Sequence, residues 1–400
     1  MSLSQNNSGS VVGGILLVAG CCIGAAMLGL PILTAITGFQ PSLIMFVGSW
    51  FFMLVTGLLL LEVNLWFYDE VSIISMADRT LGWTGKVVGW LTFLFLFYSL
   101  MVAYVSGTGV LFADFVHELA GIRIPDWVGS FGISMLFAVL IYSGTGFVDR
   151  FNRILMAGLI ITYLVLVTTG LPHVNIEYLK FTDWNISIFV VPAMIVSFGY
   201  HNLIPSLTTY LNGDVKKLRT TIFIGSLIPL VIYLVWEFVI LGLVPVEGGF
   251  RQALDEGQMA TRVLRQAVGA SWVVDAAEYF AFFAIVTSFL CVALSFVDFL
   301  ADGLHMKKDA KGKMILCSLT LVPPLVFSFI YQKMFLQALN YAGAFGAVVL
   351  FGILPAAMVW SGRYREKMDK PHMVPGGKIT LVLVILISVG IIISEIMHEV

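Results

Sequence analysis

Charge is scarce in this chain. Asp, Glu, Lys and Arg make up 12% of its 400 residues, against 59% hydrophobic residues and a mean hydropathy of +0.96, a balance that excludes an ordinary water-soluble globular protein. Cysteine is sparse as well. Cys21, Cys22, Cys291 and Cys317 all fall in apolar segments with no paired spacing in any connection, which excludes a disulfide framework and a zinc site. Catalytic signatures are missing. His117-Glu118 lacks the second histidine of a zinc-protease helix, GWTGK at 82–86 is too short between its glycines to cradle a phosphate, and no G-x-S-x-G elbow occurs. Basic residues are scattered over connections without interleaved aromatics, so no nucleic-acid partner is expected. The opening MSLSQNNSGS has neither a basic n-region nor a cleavage site, so the first apolar run is expected to be retained. These absences point away from an enzyme, a metal site and any bound cofactor.

What the chain has is apolar length. Stretches able to cross about 30 Å of hydrocarbon at roughly 20 residues each lie at 11–37, 41–67, 87–116, 127–147, 154–172, 186–211, 220–246, 273–300, 314–331, 335–361 and 379–397. The expected fold is therefore an all-α membrane protein of eleven transmembrane helices. With the N-terminus placed inside, inner connections hold sixteen of the 22 Lys and Arg residues and outer ones six, the asymmetry expected of a cytoplasmic N-terminus and an external C-terminus. One outer connection is not a plain loop. Between Gly249 and Val268, Phe250, Ala253, Leu254, Val263, Leu264 and Ala267 recur at helical steps with charges between them, which reads as an amphipathic helix or helix pair. It is either a surface decoration or an external lid.

Two spans are interrupted. GCCIGAAMLGLP at 20–31 puts three glycines and a proline in the middle of the first, and SFGYHNLIPSL at 197–207 sets Gly199 and Pro205 six apart in the sixth, much as Gly24 and Pro31 stand seven apart. Each motif alone suits close helix packing. As a pair at corresponding places they point to two five-span units whose broken helices meet near the midplane and hold a solute, because lipid accepts no freed backbone group.

These residues resemble a known group. GCCIGAAMLGLP looks like the first-helix motif of the amino acid/polyamine/organocation transporters. LLLLEVNLW at 58–66, SFGYHNLIPSL, and TSFLCVALSFVDFLADGL at 287–304 look like the aromatic amino acid permease branch, the bacterial tyrosine and tryptophan permeases. The resemblance runs through at least the first ten spans, with Ala26 standing where the family usually has glycine. It implies an inverted repeat of 1–172 and 173–361, an additional helix in 362–400, and proton symport of aromatic amino acids (tyrosine, with tryptophan or phenylalanine) into a bacterial cell across the inner membrane by alternating access. Sodium coupling, serine or threonine selectivity and, in another class, a channel stand as alternatives.

Read physically, a break near Cys22–Gly24 creates a new helix N-terminus whose amides at Gly24, Ala25 and Ala26 attract an anion. A substrate carboxylate fits there. Carbonyls of Gly20, Cys21 and Cys22 beside Ile23, and of Ser197, Phe198 and Gly199, are acceptors for an ammonium. Phe198, Tyr200 and, in the third span, Tyr104 are side-chain candidates for an aromatic pocket, or else ordinary packing groups. Buried ionisable groups are functional hypotheses by default. Asp114, Asp298, Glu237 and Glu278 lie toward span ends and are expected near the interface. Glu62 serves either an internal hydrogen bond or a proton pathway. His201, inside the second break, is the proton-coupling candidate that a midplane cavity would open to substrate and water. Thr287 and Ser288 form a possible sodium site, as such a pair does in sodium-coupled members of this fold.

Overall fold

The computed structural model describes residues 9–67, 72–143, 145–256, 258–261, 263–264, 271–307, 309–331, 334–368 and 372–399. Among them helix follows helix and no strand occurs. In chain order they are α1 (Val11–Cys22), α2 (Ala26–Ala35), α3 (Phe39–Trp66), α4 (Ile73–Ala120), α5 (Asp126–Ser143), α6 (Thr145–Gly170), α7 (Val191–Ser197), α8 (Ile204–Tyr210), α9 (Val215–Leu243), α10 (Arg251–Asp255), α11 (Ser271–Gly303), α12 (Ala310–Ile330), α13 (Phe335–Tyr364) and α14 (Gly377–Glu399). Nine helices of the described residues are long and apolar enough to cross a membrane, and the pair α1 and α2, bent by 54°, makes a tenth. The expected fourth span coincides with α5, whose described apolar part, Asp126–Leu140, is shorter than that.

Polar caps fix where spans begin. The Ser10 hydroxyl accepts the Gly13 amide at 2.9 Å, the Ser72 hydroxyl accepts that of Ser75 at 3.2 Å, and Asp309 accepts that of Gly312 at 2.7 Å. Asp214 accepts the Lys216 and Lys217 amides, both at 3.1 Å, and these bonds hold its exposed carboxyl below the usual carboxylate range. Helix α4 contains a sharp corner at Gly82, whose φ of 69° only glycine adopts at ease. The corner separates a short helix at the bilayer edge from the third span.

Connections fall on two faces. On the N-terminal face the Gly9 amide donates to Tyr210 O at 2.9 Å, which joins the start of α1 to the end of α8. On the opposite face the Asp183 amide donates to Thr37 O and the Asn175 amide to Gly242 O, both at 2.8 Å, so the link between α6 and α7 lies over the ends of α2 and α9.

Glu62 and Arg363 form the strongest polar tie. The guanidinium donates through Nε and Nη2 to the two carboxylate oxygens, each at 2.6 Å, the Met373 amide donates to Glu62 Oε2 at 2.7 Å, and both side chains are buried. Arg363, counted from sequence among loop cations, is thus a helix residue that fastens α13 to α3. Glu62 has the internal partner that was one of its two expected roles. Glu237, toward the end of α9, is 1% exposed and so packed inside the protein.

The 249–268 segment is described only in part, since Gly257, Arg262 and residues 265–270 lie outside the described residues. Of the rest, Phe250, Ala253, Met259, Ala260, Val263 and Leu264 are buried. Helix α10 packs on α2, and Met259 reaches α4 at Gly107. Its apolar side is turned onto the first and third spans, as a lid would be.

Candidate functional site

The first span breaks at Ile23–Ala25, around Gly24, a poor helix former. Ile23 is extended (φ −80°, ψ 115°), and the amides of Met27 and Leu28 fold back to Gly24 O and Ala25 O in a tight first turn. The Ala25 amide donates instead to Ser288 Oγ of α11, at 2.9 Å. Its usual acceptor in a continuous helix, Cys21 O, therefore loses that donor. Gly24 touches the same hydroxyl: a Cβ there would overlap Ser288 Oγ. Of the three amides expected to meet an anion, one has a serine partner. The Gly24 amide has none among the described residues.

The sixth span breaks over Phe198–Tyr200. There the Phe198 amide donates to Ile195 O and the Gly199 amide to Val196 O, both at 3.1 Å, and the Tyr200 amide to Phe198 O at 3.0 Å, before one turn of 3₁₀ helix, His201–Leu203, leads into α8. Cys21 Sγ lies 3.6 Å from Gly199 O and bridges the two breaks weakly.

A second bridge comes from a residue that the sequence reading missed. Tyr233 of α9 is buried, and its hydroxyl donates to Cys22 O and stands 3.1 Å from Ser197 O. The carbonyls that end both half-helices thus converge on one phenol, whose ring meets Phe198 edge-on with centroids 5.3 Å apart. The signal in the sequence was YLVWE at 233–237, three polar-tipped side chains on one face of an apolar span.

Around the breaks lies an internal recess. Cys21 is exposed yet enclosed by protein, and Cys291 of α11 is exposed as well, 3.5 Å from Asn152 Nδ2 of α6. Tyr104 of α4 is buried with its hydroxyl against Ser288, so the expected grouping of Tyr104 with the first break is present in the structure. A vestibule of about 750 Å³ approaches from the N-terminal face, lined among others by Phe97, Asn202, Ser295, Asp298, Asp302 and His305. Asn202 stands three residues beyond Gly199 and Ser295 four beyond Cys291, one turn from the recess in each case. On the opposite side α10 packs on α2, and the buried Trp236 donates through Nε1 to Met27 O at 2.8 Å.

Three expected site residues sit elsewhere. Tyr200 turns away from the recess and donates to Met53 O of α3 at 3.0 Å, filling the space that Gly57 leaves. His201 is fully buried, stacked on Phe351 with centroids 4.6 Å apart, and its Nε2 lies 2.9 Å from Thr56 Oγ1. It packs between α3 and α13 and is closed to the water and substrate contact expected of it. Thr287 donates to carbonyls of its own helix, Phe283 O at 2.8 Å and Ala284 O at 3.1 Å. Thr287 and Ser288 thus already have partners within the protein.

The recess is thus bordered by the carbonyl ends of two half-helices and by the aromatic side chains of Tyr104, Phe198 and Tyr233. The tryptophan/tyrosine permease family matches residues 7–395. The chain is 34% identical to tyrosine-specific transport system 1 of Haemophilus influenzae over 387 residues, 94% of each chain. It is 32% identical to tyrosine-specific transport system 2 of the same organism, covering 95% of this chain and 94% of the relative. It is 28% identical to the tryptophan-specific transport protein of H. influenzae, covering 98% and 97%.

Proposed function

Because this chain belongs to the tryptophan/tyrosine permease family, a family of multi-pass membrane transporters and not of enzymes, we propose that it imports aromatic amino acids, tyrosine foremost, across a bacterial inner membrane by proton symport. Tyrosine comes first because two relatives that carry tyrosine in their names are 34% and 32% identical, whereas tryptophan-specific relatives stand at 30% and 28%. The observation that carries the mechanism is the meeting of the two breaks at Tyr233. Substrate carboxylate takes the Gly24 amide and the hydroxyls of Ser288 and Tyr104. The ammonium takes carbonyls from Gly20, Cys21 and Gly199, with Tyr233 holding Cys22 and Ser197 in register. Each charge of the amino acid then meets backbone dipoles of opposite sign, with no arginine required.

Alternating access is supported by the asymmetry of the cavity. The vestibule opens from the N-terminal face, while toward the other end Trp236 donates to Met27 O and α10 packs on α2. We read 1–172 and 173–361 as inverted five-span units and 362–400 as an added helix, and we place the N-terminal face in the cytoplasm, giving an external C-terminus and eleven crossings with α5 as the fourth. The two interrupted spans and the Lys and Arg asymmetry support that arrangement.

The test is uptake of labelled tyrosine, tryptophan, phenylalanine and serine into cells expressing the chain, with an uncoupler and with sodium replaced. Saturable tyrosine uptake that collapses with the uncoupler and ignores sodium is expected. Dependence on sodium would move coupling to a cation site, serine preference would move the substrate, and unsaturable flux would make the protein a channel.

A further inference from the structure

Helix α9 presents more to the first span than Tyr233. Tyr233, Trp236 and Glu237 stand at i, i+3 and i+4, one face of the helix, and that face follows the broken span along its length. Tyr233 reaches Cys22 O at the end of α1, Trp236 reaches Met27 O at the start of α2, and Glu237 Oε2 lies 2.7 Å from Thr34 Oγ1 near the end of α2. The first two hold backbone. The third is an acid without a charged partner.

Glu237 is 1% exposed, and its Oε1 has no hydrogen-bond partner among the described residues. The elements packed on α9 bring few titratable groups near. Helix α2 has none. Cys21 and Cys22 lie on α1, Glu62 on α3 is tied to Arg363, and α6 brings Arg153 and Tyr163, the latter donating to Ile232 O. Beyond α6, His173 sits on Thr169 O, Lys180 pairs with Glu177, and Tyr178 stands beside them. On α9 itself Lys216, Lys217 and Arg219 are at the far end and Tyr233 is on the breaks. Among the described residues, none of these titratable groups makes an ion pair or side-chain hydrogen bond with Glu237. A lone carboxylate there is costly, and a carboxylic acid much less so.

Thr34 suits both forms. Its single hydroxyl proton has two acceptors within reach, Glu237 Oε2 at 2.7 Å and Leu30 O at 2.9 Å. With the carboxyl ionised, Thr34 donates to Glu237. With the carboxyl protonated, the acid O–H donates to Thr34, whose own proton turns to Leu30 O. Both arrangements require α2 to lie against α9. If α2 leaves, the ionised acid loses its one donor.

We propose that Glu237 carries the coupled proton, and that Thr34 makes its occupancy depend on the position of α2, the half-helix that begins at the carboxylate-binding amides. This rests on the proton-symport reading above. The proton binds a Glu237 carboxylate oxygen from water on the face opposite the vestibule when α2 swings out, and the neutral acid lets α2 close with substrate bound. Its release to the vestibule side completes the symport.

Purified protein in proteoliposomes separates the possibilities through tyrosine counterflow at equal pH, tyrosine accumulation on an imposed pH gradient, and the pH dependence of tyrosine binding. Wild type is expected to do all three. Glu237→Gln, held neutral, is expected to exchange tyrosine by counterflow, to lose accumulation on the pH gradient, and to bind tyrosine with no pH dependence. Thr34→Val is expected to displace the pH at which binding changes, and Thr34→Ser to restore it. Full gradient-driven accumulation by Glu237→Gln beside a wild type that also accumulates overturns the proposal and leaves symport standing. A wild type that accumulates on sodium alone removes the symport reading and the proposal with it. If Glu237→Gln fails to insert, a Thr34→Val pH profile identical to wild type overturns the assignment.

Discussion

The hydroxyl of Tyr233 donates to the carbonyl of Cys22 and stands 3.1 Å from that of Ser197. These two carbonyls end helices 175 residues apart in sequence, and a single phenol serves both because each helix stops there. Replacing Tyr233 by Phe keeps the ring against Phe198 but leaves two buried acceptors without that donor, a loss of about 1–3 kcal/mol. Tyr233→Phe is expected to lower the melting temperature in detergent and to raise the KM for tyrosine more than it lowers the maximal rate. Unchanged stability and KM would remove Tyr233 from the site.

Gly24 is where the broken span comes closest to α11. A Cβ at this position would overlap Ser288 Oγ, the acceptor of the Ala25 amide, and a β-branched side chain could not rotate clear. Gly24→Val is expected to insert and express while tyrosine uptake falls to background. Wild-type uptake kinetics in a well-expressed Gly24→Val protein would sink the backbone-site reading.

Glu62 meets Arg363 through two bonds of 2.6 Å, deep in the protein. Removing one charge strands the other, a cost of about 3–5 kcal/mol for a buried pair. Glu62→Gln is therefore expected to lose thermal stability heavily, yet the protein that survives should still concentrate tyrosine on a pH gradient. Stable Glu62→Gln protein lacking gradient-driven accumulation would instead put Glu62 on the proton path.

His201 stacks on Phe351 and faces Thr56 with no opening to the recess. His201→Gln, which keeps a polar group toward Thr56, is expected to retain accumulation driven by a pH gradient. Exchange without accumulation in this variant would return the coupling role to His201.

Topology is checked by labelling. Lys311 and Glu177 are exposed on opposite sets of connections. An impermeant maleimide is expected to reach a cysteine at Lys311 only from the cytoplasm and one at Glu177 only from outside. Gly312, in the first turn of α12, is unsuitable because a Cβ there would overlap Lys307 O. Reversed labelling would invert the orientation.

Apolar length and punctuation decided a good deal from the sequence alone. A run of about 20 apolar residues has one way to satisfy its backbone in lipid, as a helix, so the nine or ten spans found among the described residues were legible, and the breaks at Gly24 and Gly199 were legible because glycine and proline weaken a helix wherever they stand. The same sequence left undetermined which way a side chain points once its helix is broken or packed. Tyr200 and His201 flank a break yet face α3 and α13, because past Gly199 the chain turns a 3₁₀ corner that rotates them off the recess. Tyr233 sits in an unbroken span and faces both breaks, because α9 packs along α1 and α2. The same contact buries Glu237, whose place toward the end of its span was legible and whose partner Thr34 was not. Helix formation is local and was readable, whereas partnership across a bundle depends on helix rotation and register, which only the packed tertiary structure fixes.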